Sequence, residues 1–313
     1  MNIASLLPSA TEIICDLGLR AQLVAVSHSC DRPASVAGLP VLTRSIIGYG
    51  LPPAEIDRAV SVAVRDGLPL YHVRAELLNE LAPDLIVTQG VCQVCAVTPA
   101  MVQAATVHTA TVKAATVHEA VKNLPDCLPP GGRMLSLEGR TLEGILADVL
   151  AVAQAAGVPE RGEELVRRAR ADWQAIPGVQ HAPKVLTLEW TEPPFTGGHW
   201  VPEQVERAGG VNAFGQAGHD SQRATREAIR ASDPDVIVVM CCGYGLEENA
   251  GFARNLLGHA QASKLRAVQA GQLWAVDANA HFSRPALGVV RGAAVLAALL
   301  AEGESVGEAT RIL

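Results

Sequence analysis

The sequence predicts an α/β protein built from two lobes with largely parallel sheets. The chain has 313 residues, enough for two ordinary domains, and 49% of them are hydrophobic, enough to bury a large core. Short apolar segments alternate with helical patterns along the whole chain, and this alternation is typical of parallel sheets covered by helices. One helix–turn–strand pattern also occurs twice, about 150 residues apart.

The strand candidates are short apolar runs bounded by turn residues. Each is followed by a turn-rich segment and then by a segment with helical periodicity. A strand–turn–helix order of this kind places the polar turn residues at the carboxyl end of each strand. The clearest candidates are Leu23–Ser27, Leu85–Thr88, Lys184–Glu189, Val236–Met240 and Leu273–Asp277.

The repeated pattern covers residues 76–89 and 227–240. Each copy reads as a short helix, a Pro-Asp turn and a buried strand, with a glutamate (Glu76 or Glu227) seven residues before the proline. The proline ends the helix because it disfavours helical geometry in the residue before it. Two copies indicate two lobes of similar topology, although αβ units can also resemble each other by coincidence.

A helical stretch separates the two copies. Leu142–Ala155 has an amphipathic pattern, and Pro159 opens a second helical run that ends at Pro177 and Gly178. The second run is the natural connection between lobes. We therefore expect an N-terminal α/β lobe at residues 1–140, connecting helices at 141–180 and a C-terminal α/β lobe at 181–313.

Charge and hydropathy exclude several classes of partner. The net charge is −7 and there is no basic block, so we expect no nucleic-acid binding. No apolar run approaches the roughly 20 residues of a transmembrane helix.

The N-terminus lacks the features of a signal peptide, and an odd number of cysteines, seven, fits a reducing compartment. These features predict a cytoplasmic protein, or a periplasmic or cell-surface one if the true start lies upstream.

Candidate ligand-binding residues follow the predicted strands, where parallel α/β sheets bind their ligands. Aromatic rings there would give flat apolar walls, imidazoles would coordinate a metal, and an arginine would pair with a carboxylate or phosphate. Trp200 lies in a glycine-flanked loop and is expected to be exposed. The candidates are His28, Cys30, Trp190, His199, Trp200, Tyr244, His281, Phe282 and Arg284.

Cys92 and Cys95 form a C-x-x-C pair after one of these strands. The spacing suits a redox pair or half of a metal site, with zinc or iron as the possible metal, although packed, unligated thiols are the more common interpretation of such cysteines. No nucleophile elbow, phosphate-binding loop, dinucleotide fingerprint or zinc-protease motif is present. We therefore expect a binding protein and not an enzyme.

Several segments together resemble one protein family, the helical-backbone (class III) periplasmic substrate-binding proteins of ABC transporters. In that family the cobalamin-binding proteins, of the cobalamin and iron-chelate type, are the most similar. The resemblance covers nearly the whole chain. It rests on Leu6–Ile13, Val24–Ser27, Asp31–Pro33, Pro83–Ile86, Pro202–Glu203, Ala208–Gly210, Pro234–Ile237, Val276–Asp277 and Phe282–Pro285.

The resemblance implies two Rossmann-like lobes joined by a long connecting helix, with a ligand cleft between the lobes. The implied ligand is cobalamin or a related metal chelate, taken up through an ABC transporter permease. Glu76 and Glu227 match the positions at which the family docks on permease arginines. Two alternatives remain: a cytosolic metal-binding or redox protein that uses Cys92 and Cys95, and a corrinoid scavenger without a permease.

Overall fold

The chain forms two compact units in a computed structural model that describes residues 1–48, 51–91, 97–106, 132–259, 262–302 and 307–313. Unit 1 contains Met1–Gly139 and Leu146–Val166, and unit 2 contains Arg140–Ile145 and Arg167–Leu313. Each unit has its own sheet and its own buried core. Lobe boundaries at residues 140 and 180 stay a prediction.

Unit 1 is built on a parallel four-stranded sheet in the order β2-β1-β5-β6. Strands β3 and β4 form a separate antiparallel ribbon. The elements are β1 (Ile3–Ser5), α1 (Pro8–Asp16), β2 (Leu23–Ala25), β3 (Thr43–Ser45), α2 (Pro53–Arg65), β4 (Tyr71–Val73), α3 (Ala75–Leu81), β5 (Leu85–Gln89), α4 (Pro99–Thr106) and β6 (Arg133–Leu137).

The central strands of unit 1 are apolar on both faces because helices and loops cover both sides of the sheet. β1 and β5 are buried along their whole length. Ala4 and Ile86 pack with Leu78 of α3 in one core cluster. This explains why these strands read as continuous apolar runs and not as alternating ones.

Two helices follow β6, α5 (Leu142–Ala155) and α6 (Pro159–Ala175). The break between them falls at Gly157, whose φ of +73° favours a residue without a side chain. Each of these helices contains residues that belong to both units. The first turn of α5 and the second half of α6 belong to unit 2, and the segment Leu146–Val166 belongs to unit 1.

Unit 2 is built on a mixed sheet in the order β10-β8-β7-β11-β12-β13, with β9 beside β7. β9, β7, β11 and β12 run parallel, and β8, β10 and β13 pair antiparallel. The elements are β7 (Lys184–Thr191), β8 (Pro194–Thr196), α7 (Val201–Arg207), β9 (Val211–Asn212), β10 (Gln222–Arg223), α8 (Arg226–Ser232), β11 (Val236–Val239), α9 (Leu246–Leu257), α10 (Arg266–Gln269), β12 (Leu273–Val276), α11 (Ala278–His281), α12 (Gly288–Glu302) and β13 (Ala309–Arg311).

The repeated sequence pattern folds in the same way in both units. α3 and α8 each have seven residues and end at a residue in the left-handed conformation, Ala82 or Asp233. The aspartate of each Pro-Asp turn accepts a backbone N–H from the start of the neighbouring strand. Asp84 accepts that of Asn2 at 2.6 Å, and Asp235 accepts that of Lys184 at 2.8 Å. The Pro-Asp pair therefore ends a helix and also aligns two strands.

The α/β class is confirmed, and each predicted strand is present with its ends shifted by one or two residues. One local interpretation is wrong. Trp190 was expected to follow the strand at Lys184–Glu189, but β7 continues to Thr191, so that Trp190 lies in the strand, and the chain then turns directly into β8. The edge pairing of β8 with β7 decides this, since short antiparallel strands leave little signal in the sequence. No helix among the described residues is long and apolar enough to cross a membrane.

Candidate functional site

In unit 1, a group of polar side chains lies where β1 and β2 end. In a parallel sheet the carboxyl ends of neighbouring strands meet at the same edge, and the loops there form the binding surface. His28 and Cys30 both lie in the loop that follows β2. Each side chain is half-buried, so they are accessible while their positions are fixed by neighbours.

Thr43 and Tyr71 fix the position of His28. The Thr43 Oγ1 atom accepts the backbone N–H of His28 at 3.0 Å and lies 2.7 Å from the Nδ1 atom of its imidazole. The Tyr71 ring lies against the imidazole with 5.6 Å between ring centres. Both partners come from the β3–β4 ribbon, so that the ribbon orients the histidine.

Cys30 ends a chain of hydroxyl groups. Its Sγ atom lies 3.1 Å from Thr11 Oγ1 and 3.2 Å from Ser27 Oγ. Thr11 in turn donates to Ser5 Oγ at 2.8 Å, and Ser5 donates to the carbonyl of Leu7 at the start of α1. The thiol is therefore tied to the first turn of α1 and held in one place.

In unit 2, Trp190 at the end of β7 and Tyr244 in the loop after β11 form an aromatic pair. Their ring centres are 5.9 Å apart, and the Tyr244 ring also packs edge-on against Phe252 at 4.8 Å. Both members of the pair are half-buried. Burial raises the pKa of the Tyr244 phenol, which therefore stays protonated at neutral pH. The pair offers flat apolar surface at the edge of the sheet.

Glu189 joins the segment that contains Gly198 and His199 to the segment that contains Ser221. Its carboxylate accepts the backbone N–H of Gly198 at 3.0 Å and the hydroxyl of Ser221. His199 adopts the left-handed conformation, with φ of +52°, which is uncommon for a residue with a side chain. Its Nε2 atom lies 3.2 Å from Asp220 Oδ1, and Asp220 also pairs with Arg140. His199 thus faces a carboxylate of its own unit.

The expectation that Trp200 is exposed is wrong. Its side chain is only 6% exposed, and its indole N–H donates to the carbonyl of Phe282 at 2.9 Å. Phe282 itself is 2% exposed. The glycines before Trp200 let the backbone approach Ser221 and Thr187 closely, as a Cβ at either position would collide with them. This close backbone packing accompanies the burial of the Trp200 ring in the core.

His281 and Arg284 lie after β12 and are also largely buried. The Nε2 atom of His281 lies 3.3 Å from Glu308 Oε1, and its side chain is 12% exposed. Arg291 shares that carboxylate. Arg284 is 9% exposed. Contact of either residue with a ligand stays a prediction.

Burial lowers the pKa of the three candidate imidazoles. For His28 burial is the cause of the lowered pKa. For His199 and His281 burial outweighs the neighbouring carboxylates of Asp220 and Glu308, which act in the opposite direction. An imidazole whose pKa lies below its ordinary value of about 6.5 is neutral at pH 7. The neutral form is the one that binds metals or exchanges hydrogen bonds with a ligand.

The predicted docking glutamates occupy equivalent places in the two units. Glu76 is the second residue of α3 and Glu227 the second residue of α8, and both are exposed. Cys92 and Cys95 lie outside the described residues. Within the described part of the chain, no group of three or more His, Cys, Asp or Glu side chains is arranged to hold a metal ion.

The sequence did not single out three residues that organise these sites. Thr43 and Tyr71 contact His28, and Glu189 positions the loop of His199. Glu189 was identifiable in principle, because it is an acidic residue near the end of a buried strand. Thr43 and Tyr71 come from a short ribbon 15 and more residues away from His28, and only the fold brings them there.

Two α/β units, each with polar and aromatic residues at the carboxyl ends of its strands, define the class of two-unit ligand-binding proteins. The family model described as "Periplasmic binding protein" matches residues 3–280. The chain therefore belongs to the periplasmic binding protein family. No curated protein sequence matches it significantly.

Solved structures of this family share the fold. The periplasmic vitamin B12 binding protein BtuF of Vibrio cholerae is 21% identical, with a TM-score of 0.62 over 96% of each chain. The periplasmic heme binding protein HutB of the same organism is 20% identical, with a TM-score of 0.66 over 96% of this chain and 99% of that one. A possible iron-binding solute-binding protein of Staphylococcus epidermidis is 17% identical, with a TM-score of 0.64 over 96% and 98% of the two chains.

The family corrects the expected location. A cytoplasmic protein was expected from the N-terminal residues and the odd number of cysteines, but the family and its solved members are periplasmic binding proteins. Among the described residues, Cys15, Cys30, Cys241 and Cys242 form no disulfide bond. Buried thiols such as Cys241 pack as small apolar groups in any compartment, so they do not identify a reducing one.

Proposed function

We propose that this periplasmic binding protein binds cobalamin or a related metal chelate for uptake by an ABC transporter. The aromatic pair of Trp190 and Tyr244 carries the proposal. A large planar chelate presents wide apolar faces, and half-buried rings held by their own unit cover such faces at little cost in conformational entropy. The relatives of similar fold include proteins described as a vitamin B12 binding protein, a heme binding protein and a possible iron-binding protein.

Polar groups in unit 1 support the same class of ligand. His28 and Cys30 are half-buried and fixed by hydroxyl groups. Polar groups that are held in place suit the oxygen and nitrogen atoms at the edge of a chelate. No motif for catalysis is present in the sequence, so binding and release are the proposed activity.

Direct titration tests the ligand class. Purified protein, first analysed for bound metal, is titrated with cyanocobalamin, aquocobalamin and hemin, and binding is followed by absorbance and calorimetry. We expect saturable one-to-one binding of at least one probe. Trp190→Ala is expected to weaken it about tenfold or more, a loss of roughly 1.4 kcal/mol or more, because the ring contact is lost.

Trp173→Ala is the matched control for the titration. Trp173 is a half-buried tryptophan on α6, far along the sequence from the strand ends, and its replacement is expected to leave affinity unchanged. Absence of binding of all three probes, in protein that contains stoichiometric zinc or iron, would contradict the chelate proposal. It would favour the alternative of a metal-binding or redox protein that uses Cys92 and Cys95.

We further propose that Glu76 and Glu227 dock on the permease. Both are exposed carboxylates in the first turn of equivalent helices, and exposed charges at equivalent places of two units suit a partner with two cationic patches. Glu76→Ala with Glu227→Ala is expected to reduce association with the cognate permease at least about tenfold without changing ligand affinity. Glu80→Ala, an exposed change on α3, is the control. Unchanged association of the double variant would remove the docking role.

A further inference from the structure

The hydrogen bonds of the Thr43 hydroxyl determine which nitrogen of His28 carries the proton. The Thr43 hydroxyl has one hydrogen to donate and two lone pairs that accept. One lone pair is used by the backbone N–H of His28, at 3.0 Å. The second contact, 2.7 Å to Nδ1 of the imidazole, has two possible directions.

In the first direction Thr43 donates to Nδ1, and the hydroxyl, the backbone N–H and Nδ1 all have partners. The hydroxyl hydrogen has an acceptor, the backbone N–H has one, and the neutral ring carries its proton on Nε2. In the second direction Nδ1–H donates to Oγ1, whose two lone pairs are then both occupied by donors. The hydroxyl hydrogen is left without an acceptor among the described residues.

Burial makes the second arrangement unfavourable. Thr43 is 2% exposed, so water does not readily supply the missing acceptor, and a buried polar hydrogen without a partner costs free energy. The imidazole is neutral because burial lowers its pKa. The ring therefore has one proton, and its place is decided by Thr43.

A backbone hydrogen bond and the pairing of the ribbon strands place Thr43 next to His28. A backbone hydrogen bond joins the end of β2 to the start of β3: the N–H of Leu42 donates to the carbonyl of Val26 at 2.9 Å. In the ribbon, Thr43 pairs with Val73 and Ser45 with Tyr71, which places Thr43 and Tyr71 on one face. His28 is held by both.

We propose that Thr43 keeps His28 in the Nε2-protonated tautomer, so that the imidazole presents a hydrogen-bond donor to its ligand and no lone pair to the ligand's metal. Thr43 is thus a positioning residue for specificity. The group that His28 recognises is an acceptor oxygen, a carboxamide or carboxylate at the edge of a chelate. This part rests on the proposed function, whereas the tautomer itself does not.

Nitrogen NMR of the ligand-free full chain tests the tautomer. Long-range ¹H–¹⁵N spectra near neutral pH separate a protonated ring nitrogen from an unprotonated one, and His28→Gln identifies the signals of His28. We expect Nε2 to be protonated in the wild type and in Thr43→Ser, and the two tautomers to become mixed in Thr43→Val, where the donor is lost. A wild-type ring protonated on Nδ1 overturns the proposal.

Ligand titrations test the donor role. Cyanocobalamin, aquocobalamin and hemin are titrated against His28→Gln, whose amide N–H replaces Nε2–H, and against His28→Leu, which has no donor. For a probe that binds the wild type, we expect His28→Gln to retain affinity within about threefold and His28→Leu to lose about tenfold, roughly the contribution of one hydrogen bond.

The outcomes separate the two proposals. A visible spectral change with aquocobalamin or hemin that His28→Gln abolishes shows that the imidazole binds the metal, which overturns the donor role. If none of the probes binds the wild type, the proposed ligand class fails and the donor role fails with it. The NMR result still decides the tautomer in that case, because it is measured without ligand.

Discussion

Trp200→Ala is expected to lower the free energy of unfolding by about 3–5 kcal/mol, the usual range for removing a buried tryptophan. The ring is almost completely buried, and its N–H donates to the carbonyl of Phe282, 82 residues away. The change therefore creates a cavity and also leaves a buried carbonyl without its donor. Chemical denaturation followed by circular dichroism measures the effect.

Trp200→Phe separates the two contributions. It removes the hydrogen bond but keeps much of the apolar volume, so a smaller loss of about 1–2 kcal/mol is expected. Trp173→Ala is expected to lower stability less than Trp200→Ala does, because the Trp173 ring is already partly exposed. If Trp200→Ala left stability intact and abolished ligand binding instead, the ring would be a ligand contact and the burial argument would be wrong.

Asn249→Ala is expected to destabilise the protein by about 2–3 kcal/mol, since it leaves the buried N–H of Cys241 without its acceptor and removes one of two donors from each of two carbonyls. Asn249 is completely buried at the start of α9, and its side chain satisfies three backbone groups of the loop after β11. Its Oδ1 accepts the N–H of Cys241 at 2.6 Å, and its Nδ2 donates to the carbonyls of Tyr244 and Gly245. The unsatisfied N–H costs about 1–3 kcal/mol, whereas the two carbonyls keep the backbone N–H groups of Asn279 and Asn249 as donors.

Asn255→Ala is the matched control, because it changes an exposed asparagine of the same helix. It is expected to shift the midpoint of chemical denaturation only slightly. Asn249→Ala is also expected to weaken any ligand contact of Tyr244, since the loop that carries this ring loses its support. Equal midpoints for the two variants would show that water replaces the amide and that the loop does not depend on it.

The strand pattern and the repeat were readable from the sequence because they depend on local chemistry. Proline excludes helix in the residue before it, and buried parallel strands are apolar along their whole length. Both copies of the Glu…Pro-Asp segment therefore fold alike. The β7–β8 turn was missed, because a three-residue edge strand is defined by its partner and hardly by its own residues.

The candidate site was predicted only in outline. Choosing residues after strands located His28, Cys30, Trp190 and Tyr244 at the edges of their sheets. The same rule also selected Trp200, which is a core residue held by the carbonyl of Phe282. Thr43, which decides the tautomer of His28, was not selected, since nothing in its own sequence neighbourhood marks it.

The sequence by itself determined the α/β class, the order of strands and helices and the family resemblance, because periodicity, turn residues and motifs are properties of short segments. The tertiary structure alone decided which aromatic rings are buried, which carboxylates face His199 and His281, and which hydroxyl holds His28. Those properties depend on contacts between residues far apart in the chain. Burial and hydrogen-bond partners are fixed only when the sheets, loops and helices pack together.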